Sequence, residues 1–306
     1  MSARGLCSRP IDMTLVFLYS CFLGAAAGLV VPLKATRPAT TLKGISLLSA
    51  RDESTRVELG TALTETKSKA LLILGTHAAD FNTVEYAQRL RAFWPQLQSK
   101  GVERALMVIN GEANQCMKLA ELLDLPAGIE LLADPTGEAG RRFGCSGGFR
   151  PEDTGLSPFA KLFVMGIFGG PGAWYTLPAV LVGYFGNPGG SRAWMEVALK
   201  QGQAAGRWPS TVLDVAPDGA ILGNKFDDTP LVSGWGVRPF ELATLRLQNL
   251  IGVQGQHWDA LKPADPRCLT QLGGCTVVGQ GGEALYSWLD RGLCDVPDFD
   301  EMLEAI

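Results

Sequence analysis

The chain has 306 residues, 46% of them apolar and 19% charged, enough for one large hydrophobic core or two small ones. Twenty-seven basic residues against 31 acidic ones give a net charge of −4, so there is no global positive field and nucleic-acid binding is not expected. Only two histidines are present and no tight Cys/His spacing occurs, so neither a metal site nor a cofactor is expected.

The first fifty residues differ in character from the rest. Arg4 and Arg9 precede an apolar stretch from Met13 to Val31 that contains Ala25-Ala26-Ala27, a small-residue pattern suited to signal peptidase. A secretory signal is the expected reading; an uncleaved anchor is the alternative, since about 20 apolar residues just span a bilayer. From Pro32 to Arg51 the chain carries Lys34, Arg37, Lys43 and Arg51 with no acid before Asp52, the composition of a transit peptide. A signal followed by such a segment resembles the bipartite presequence of proteins bound for plastids with extra membranes, although Gly28 and Leu29, not Phe, follow the expected cleavage point. Plastid targeting by residues 1–51 is therefore expected, with simple secretion as the alternative. Cleavage would remove Cys7 and Cys21 and leave Cys116, Cys145, Cys268, Cys275 and Cys294, an odd number that keeps at least one thiol free in a monomer.

From Lys69 onward the pattern alternates. An apolar run at 70–74 is followed by a helical stretch at 83–98, a second run Ala105-Leu106-Met107-Val108-Ile109, a helical stretch at 114–124 and a third run Ile129-Glu130-Leu131-Leu132. Val84, Leu90, Phe93 and Leu97 share one helix face, while Arg89, Arg91 and Lys100 can stay wet. This is a βαβαβ unit with parallel strands, whose ligands usually sit beyond the carboxyl ends of the strands. Asp134-Pro135-Thr136-Gly137-Glu138 then opens a short helix. Between 148 and 267 lies a segment too long for a structureless loop. It offers a helix at 191–205, a hairpin with strands at 211–215 and 220–222, and a helix at 238–250. Within it, residues 162–186 carry no charged side chain; six glycines and two prolines break them up, so a buried apolar loop is expected, with a peripheral membrane or partner surface as the functional alternative. Cys275-Thr276-Val277-Val278-Gly279 and Ala284-Leu285-Tyr286-Ser287-Trp288-Leu289 flank Gln280-Gly281-Gly282 as a hairpin, and a terminal helix runs over 298–306.

That order, with ADPTGEAGRRFG after the third strand and QLGGCTVVGQGGEALYSWLDRGLCDVP near the end, resembles the peroxiredoxin-like branch of the thioredoxin superfamily, the alkyl hydroperoxide reductase and thiol-specific antioxidant type. The resemblance covers about 70–147 and 268–306. It implies an α/β fold, a thioredoxin-like mixed sheet flanked by helices and interrupted by a long α+β insert. The expected domain organisation is a presequence (1–51), a first half-domain (52–147), an insert (148–267) and a second half-domain (268–306). A nucleotide-binding α/β domain competes, but no Gly-rich phosphate loop follows the first strand.

The resemblance also places a peroxide-attacking cysteine in the first turn of the helix after the first strand. Laid on Asp80-Phe81, the motif puts Asn82 at its Thr and Glu85 at its Cys, and no cysteine occurs from Leu71 to Leu106. A carboxylate cannot do that sulfur chemistry. Asp80 and Asn82 read most simply as helix caps; a polar binding site built from Asp80, Asn82 and Glu85 is the functional alternative. Aligned with thioredoxin, Cys275 falls beside the active-site turn, so Cys275 with Cys268 or Cys294 is the candidate redox set, against the plain reading of buried inert thiols. Cys116, Cys145 and a solvent-facing His77 are not expected to react, and Arg141, Arg142 and Arg291 are expected to pair with nearby acids. Two functions follow: an antioxidant or disulfide-handling oxidoreductase served by a thiol reductant, or a non-catalytic thioredoxin-fold binding or assembly factor that meets a protein partner or membrane through 162–186. The redox assignment is favoured.

Overall fold

The computed structural model describes residues 37–185, 192–207, 213–228, 230 and 238–306. The expected signal, residues 32–36 of the expected transit segment, Gly186 of the uncharged stretch, Ser191 of the expected helix, and Thr211 and Val212 of the expected hairpin lie outside these residues. The described chain opens with a helical turn α1 (Pro38–Thr41), an antiparallel pair β1 (Ser46–Ser49) and β2 (Arg56–Glu58), and a short helix α2 (Leu59–Thr64) capped by the Glu58 carboxylate. Leu42, Ile45 and Leu47 are buried here, and β1 pairs with the sheet. Residues 38–51, which the composition places in the expected presequence, pack here against the sheet.

The βαβαβ unit follows as β3 (Lys69–Leu74), α3 (Phe81–Ser99), β4 (Val102–Ile109), α4 (Ala113–Leu123) and β5 (Ile129–Ala133), with β3, β4 and β5 parallel. A short helix α5 (Glu138–Phe143) precedes the insert, which contributes α6 (Pro158–Ile167), α7 (Thr176–Phe185), α8 (Ala193–Ala204), the pair β6 (Leu213–Val215) and β7 (Ile221–Asn224), α9 (Arg238–Asn249), a π-turn (Leu250–Gly255), and α10 (Gln256–Leu261). After a 3₁₀ turn (Pro266–Leu269) the chain re-enters the sheet as β8 (Gly274–Val278) and β9 (Ala284–Leu289) and ends in α11 (Phe299–Ala305).

The two separated halves make one seven-stranded sheet in the order β2-β1-β5-β4-β3-β8-β9. β8 runs antiparallel to β3, Gly274 opposite Leu74 and Cys275 opposite Ile73, so its start lies beside the turn that leads into α3. Alternation sorts the strands cleanly onto two faces. Leu71, Ile73, Ala105, Met107, Ile129 and Leu131 point toward α3 and α4, and Ala70, Leu72, Leu74, Leu106, Val108 and Leu132 toward α1 and α2. The first cluster continues into the insert through Trp194, Leu199, Leu245 and Val253, so the insert shares the domain's core.

Residues 162–186 differ from the buried loop expected. Their described residues form the end of α6, the connecting turns and the whole of α7; Met165, Ala173 and Ala179 are buried, but Phe163, Phe168, Trp174 and Val182 are exposed, and Phe159 just before them is 76% exposed. Their glycine content allows two short helices where one long one would break.

Candidate functional site

The site expected at the carboxyl end of β3 is built by the loop 75–80 and the first turn of α3. Asp80 is the N-cap of α3: its Oδ2 accepts from the Asn82 backbone N–H at 3.1 Å and from the Thr76 hydroxyl at 2.6 Å. Thr83 Oγ1 in turn accepts from the Thr76 N–H at 2.7 Å, closing the loop over the strand end. Asn82 is not a cap. Its Nδ2 donates to Asp290 Oδ2 at 2.7 Å and to the Gly292 carbonyl at 3.1 Å, and its Oδ1 accepts from the Cys294 N–H at 2.7 Å, so it fastens the tail after β9 to the turn.

Glu85 lies one turn further, 2% exposed, between two guanidiniums. Arg89, one helical turn on, reaches Oε1 at 2.7 Å; Arg246, from α9 of the insert, reaches Oε2 at 2.8 Å. Burial works to raise the Glu85 pKa, and the charges of Arg246 and Arg89 outweigh it, leaving the carboxyl below its ordinary value. The remaining N–H groups are answered by backbone: Arg246 Nη2 by the Cys294 carbonyl at 2.9 Å and Arg89 Nη1 by the Pro297 carbonyl at 2.9 Å. Trp194 of α8 stacks its ring 4.5 Å from the Arg89 guanidinium, and Gln88 and Asn249 exchange two amide hydrogen bonds at 3.0 and 2.9 Å. The insert thus covers the face of α3 that carries Glu85. Asp80, Asn82 and Glu85 lie within the first turns of one helix, and all three direct their hydrogen bonds into the protein.

A model of the AhpC/TSA antioxidant enzyme family matches residues 89–292. The chain belongs to this family. Neither the curated proteins nor the solved structures contain a match to it. Family membership and the mixed sheet make it a thioredoxin-like, peroxiredoxin-type redox protein. The match begins after the turn 80–85 and includes Cys268 and Cys275.

In this family member all five described cysteines are free and buried. Cys275 lies fully buried in β8 between Ile73 and Trp288 on the neighbouring strands. Burial pushes its thiol well up, as does the Asp290 carboxyl, while the Tyr86 hydroxyl beside it pulls the other way. Tyr86 itself donates to Asp290 Oδ1 at 2.7 Å. Cys268 sits in the 3₁₀ turn with its sulfur 3.7 Å from the Pro135 carbonyl oxygen, and burial pushes it up to about 12. Cys294 meets the turn through its backbone, in the left-handed region at φ +65°, and its thiol is pushed up to about 12 by burial. Cys116 is pushed up to about 12 and Cys145 also upward, again by burial. The arrangement favours neutral thiols, and a neutral thiol is a poor nucleophile. Among the described residues no group of three or more His, Cys, Asp or Glu is placed to hold a metal ion.

Arg291 pairs with Asp295 at 2.9 Å as expected of a charge beside an acid, and also lies 3.7 Å from the Tyr175 ring centroid, tying the tail to the insert. Arg142 reaches Glu138 at 3.7 Å on the surface. His77 departs from the solvent-facing loop residue expected. It is 1% exposed, edge-on to Trp258 of α10 at 6.1 Å. Burial lowers its pKa, with Asp80 opposing. A folded value below the ordinary 6.5 means that the unfolded chain takes up the proton first. Stability from this site is therefore present above pH 6.5 and lost as pH falls from there toward the folded value. His77→Phe is expected to flatten that part of the stability profile, measured by urea unfolding at a series of pH values; an unchanged slope would place the ring in solvent.

Sequence reasoning missed Arg246, Asp290 and Tyr86, and left the buried Arg89 and His77 in water. One signal was present for Arg89, its spacing of four from Glu85 on a helix.

Proposed function

We propose that this AhpC/TSA family member is a plastid protein that serves binding and assembly through its insert, its helix turn holding the fold together instead of performing peroxide chemistry. The observation that carries the reading is Glu85, the residue that the sequence resemblance lays on the attacking sulfur, enclosed by Arg89 and Arg246 beneath the insert. Where a peroxidase needs an accessible thiolate, this position holds a paired carboxylate. The buried thiols support the same reading. The contact surface is the aromatic face of the insert: Phe159 and Phe163 stack with centroids 6.0 Å apart, and Phe168 and Trp174 stand exposed near an uncharged stretch. Exposed Phe and Trp without charge suit a protein groove or the interfacial layer of a membrane. No helix among the described residues is long and apolar enough to cross a membrane. The composition of residues 1–51 supports plastid delivery.

A second reading, a thiol oxidoreductase using Cys275 with Cys268 or Cys294, is favoured by the family and by the Tyr86 hydroxyl at Cys275. One experiment separates the two. The mature protein is expected to consume hydrogen peroxide, with dithiothreitol as reductant, no faster than its Cys275→Ser variant; turnover abolished by that substitution would establish the second reading. In vesicle flotation, Phe159→Ser/Phe163→Ser is expected to reduce any lipid association at least tenfold, and its failure to do so would remove this face as the membrane contact. A reporter carrying residues 1–51 should enter the plastid; export from the cell would overturn that address.

A further inference from the structure

Three arginines are buried among the described residues, and one of them lacks a counter-charge. Arg89 and Arg246 share the Glu85 carboxylate. Arg207, just beyond α8 and 5% exposed, has no acid within ion-pair distance among the described side chains, and no carboxylate contributes to the field at its guanidinium. The stretches 186–191, 208–212 and 231–237 contain no acid either. Arg207 Nη2 donates to Gln201 Oε1, a neutral acceptor, and Nη1 meets no acceptor. Water can answer an N–H, but it does not neutralise an enclosed charge, and a guanidinium does not escape that cost by giving up its proton.

A second guanidinium stands at the same corner. Gln201 Nε2 donates to the Leu122 carbonyl in the last turn of α4 at 2.9 Å, and Asp124, the left-handed cap of that helix, accepts from Arg91 Nη2 of α3 at 3.1 Å. Arg207, through Gln201, and Arg91 are thus fastened to one helix end. Burial, and after it the charge of Arg91, lower the Arg207 pKa to about 10, so both remain cations at neutral pH. Arg91 is 23% exposed and Asp124 76%, so solvent reaches this corner from the Arg91 side, and their ion pair is one that opens readily. The π-turn closes on Arg207 from another side: a Cβ at Gly252 would stand 2.7 Å from the Arg207 carbonyl oxygen.

This balance restricts the occupant. Two guanidiniums against one exposed carboxylate leave the corner positive, which repels a cation and gives a neutral molecule nothing to offset. An oxyanion offsets it, since guanidinium forks match phosphate and carboxylate oxygens, Arg207 Nη1 is there to donate, and Arg91 can turn from Asp124. We propose that Arg207 and Arg91 form a binding site for a small oxyanion, a phosphate or carboxylate group, beside the end of α4. The site is independent of how the thiols and the aromatic face of the insert are used.

The test is calorimetric titration of the mature protein, in low-salt buffer free of both anions, with inorganic phosphate and separately with acetate. Saturable one-site binding of at least one of them is expected, weakened at least about tenfold in Arg207→Met. Phosphate alone identifies a tetrahedral group as the ligand and acetate alone a carboxylate; either supports the proposal. No saturable binding of either anion overturns it, and so does equal binding by Arg207→Met, which would mark an adventitious surface ion. Should that variant fail to fold, Arg91→Gln carries the test from the exposed side of the corner. The urea midpoint of the wild type should rise with the concentration of the bound anion, as linkage requires, and that of Arg91→Gln should rise less. An equal rise in both would overturn the two-arginine site.

Discussion

Glu85→Ala is expected to destabilise the protein by about 3–5 kcal/mol, because it leaves two guanidiniums in the interior without their shared carboxylate. Arg246 and Arg89 reach Glu85 at 2.8 and 2.7 Å and are largely buried, so neither can regain water without moving the insert or the tail. Urea unfolding of the mature protein measures the loss, and a value under about 1 kcal/mol would show that the pairs are exposed in solution and worth little. The failure should also have an address. Arg246 comes from α9, and limited proteolysis of the variant is expected to cut within 148–267 before it cuts the sheet. Glu85→Ala/Arg246→Met should recover part of the loss, since a buried ion pair replaced by apolar groups is often tolerated while half a pair is not. The sign of the pH dependence follows from the Glu85 carboxyl lying below its ordinary 4.5. Its contribution is present above pH 4.5 and disappears as pH falls through the folded value, so the wild type loses stability on acidification and Glu85→Gln loses less over the same range.

How much of this was legible in the sequence differs by element. β3, β4 and β5 were readable because each carries a short, mostly apolar run and helices with apolar residues at three- and four-residue spacing separate them. The β8–β9 pair was readable from its Gly-Gly turn. β1 was hidden inside a basic, acid-free stretch: only four residues long, it has one fully buried side chain, Leu47, and composition there argued for a presequence. Asp80, Asn82 and Glu85 were found through the turn they occupy, and their proximity needs nothing but helix geometry. Their partners could not be found that way. Arg246 is 161 residues from Glu85, on a helix whose leucines define the apolar face, so the periodicity that located the helix said nothing of its arginine's partner. His77 was misread for a related reason. Loop histidines are usually exposed, and only the return of α10 from the insert places Trp258 against it. Topology, in both cases, decided what local pattern could not.

Asn82→Ala carries the other large expected effect, a loss of about 3–5 kcal/mol, built from unanswered buried groups at about 1–3 kcal/mol each. The amide makes three hydrogen bonds to residues more than two hundred positions away, to Asp290, Gly292 and Cys294. Without it the Cys294 N–H has no acceptor at that place and the Asp290 carboxyl keeps Tyr86 as its side-chain donor. Burial already holds the Asp290 pKa well above its ordinary value, with the Tyr86 and Asn82 hydrogen bonds opposing, so losing one of those donors pushes it further up. Native-state hydrogen exchange should locate the damage. Amides of residues 290–306 are expected to exchange at least a hundredfold faster in Asn82→Ala, while those of β3 and β4 accelerate only as far as the lowered global stability dictates. Asn82→Asp distinguishes a lost tether from a lost side chain: it retains an acceptor for the Cys294 N–H but sets a second carboxylate against Asp290, and so should be no more stable than the alanine variant. If the tail stays protected in both variants, the turn is not what holds it, and the contacts of α11 through Phe299 and Met302 with the core must suffice.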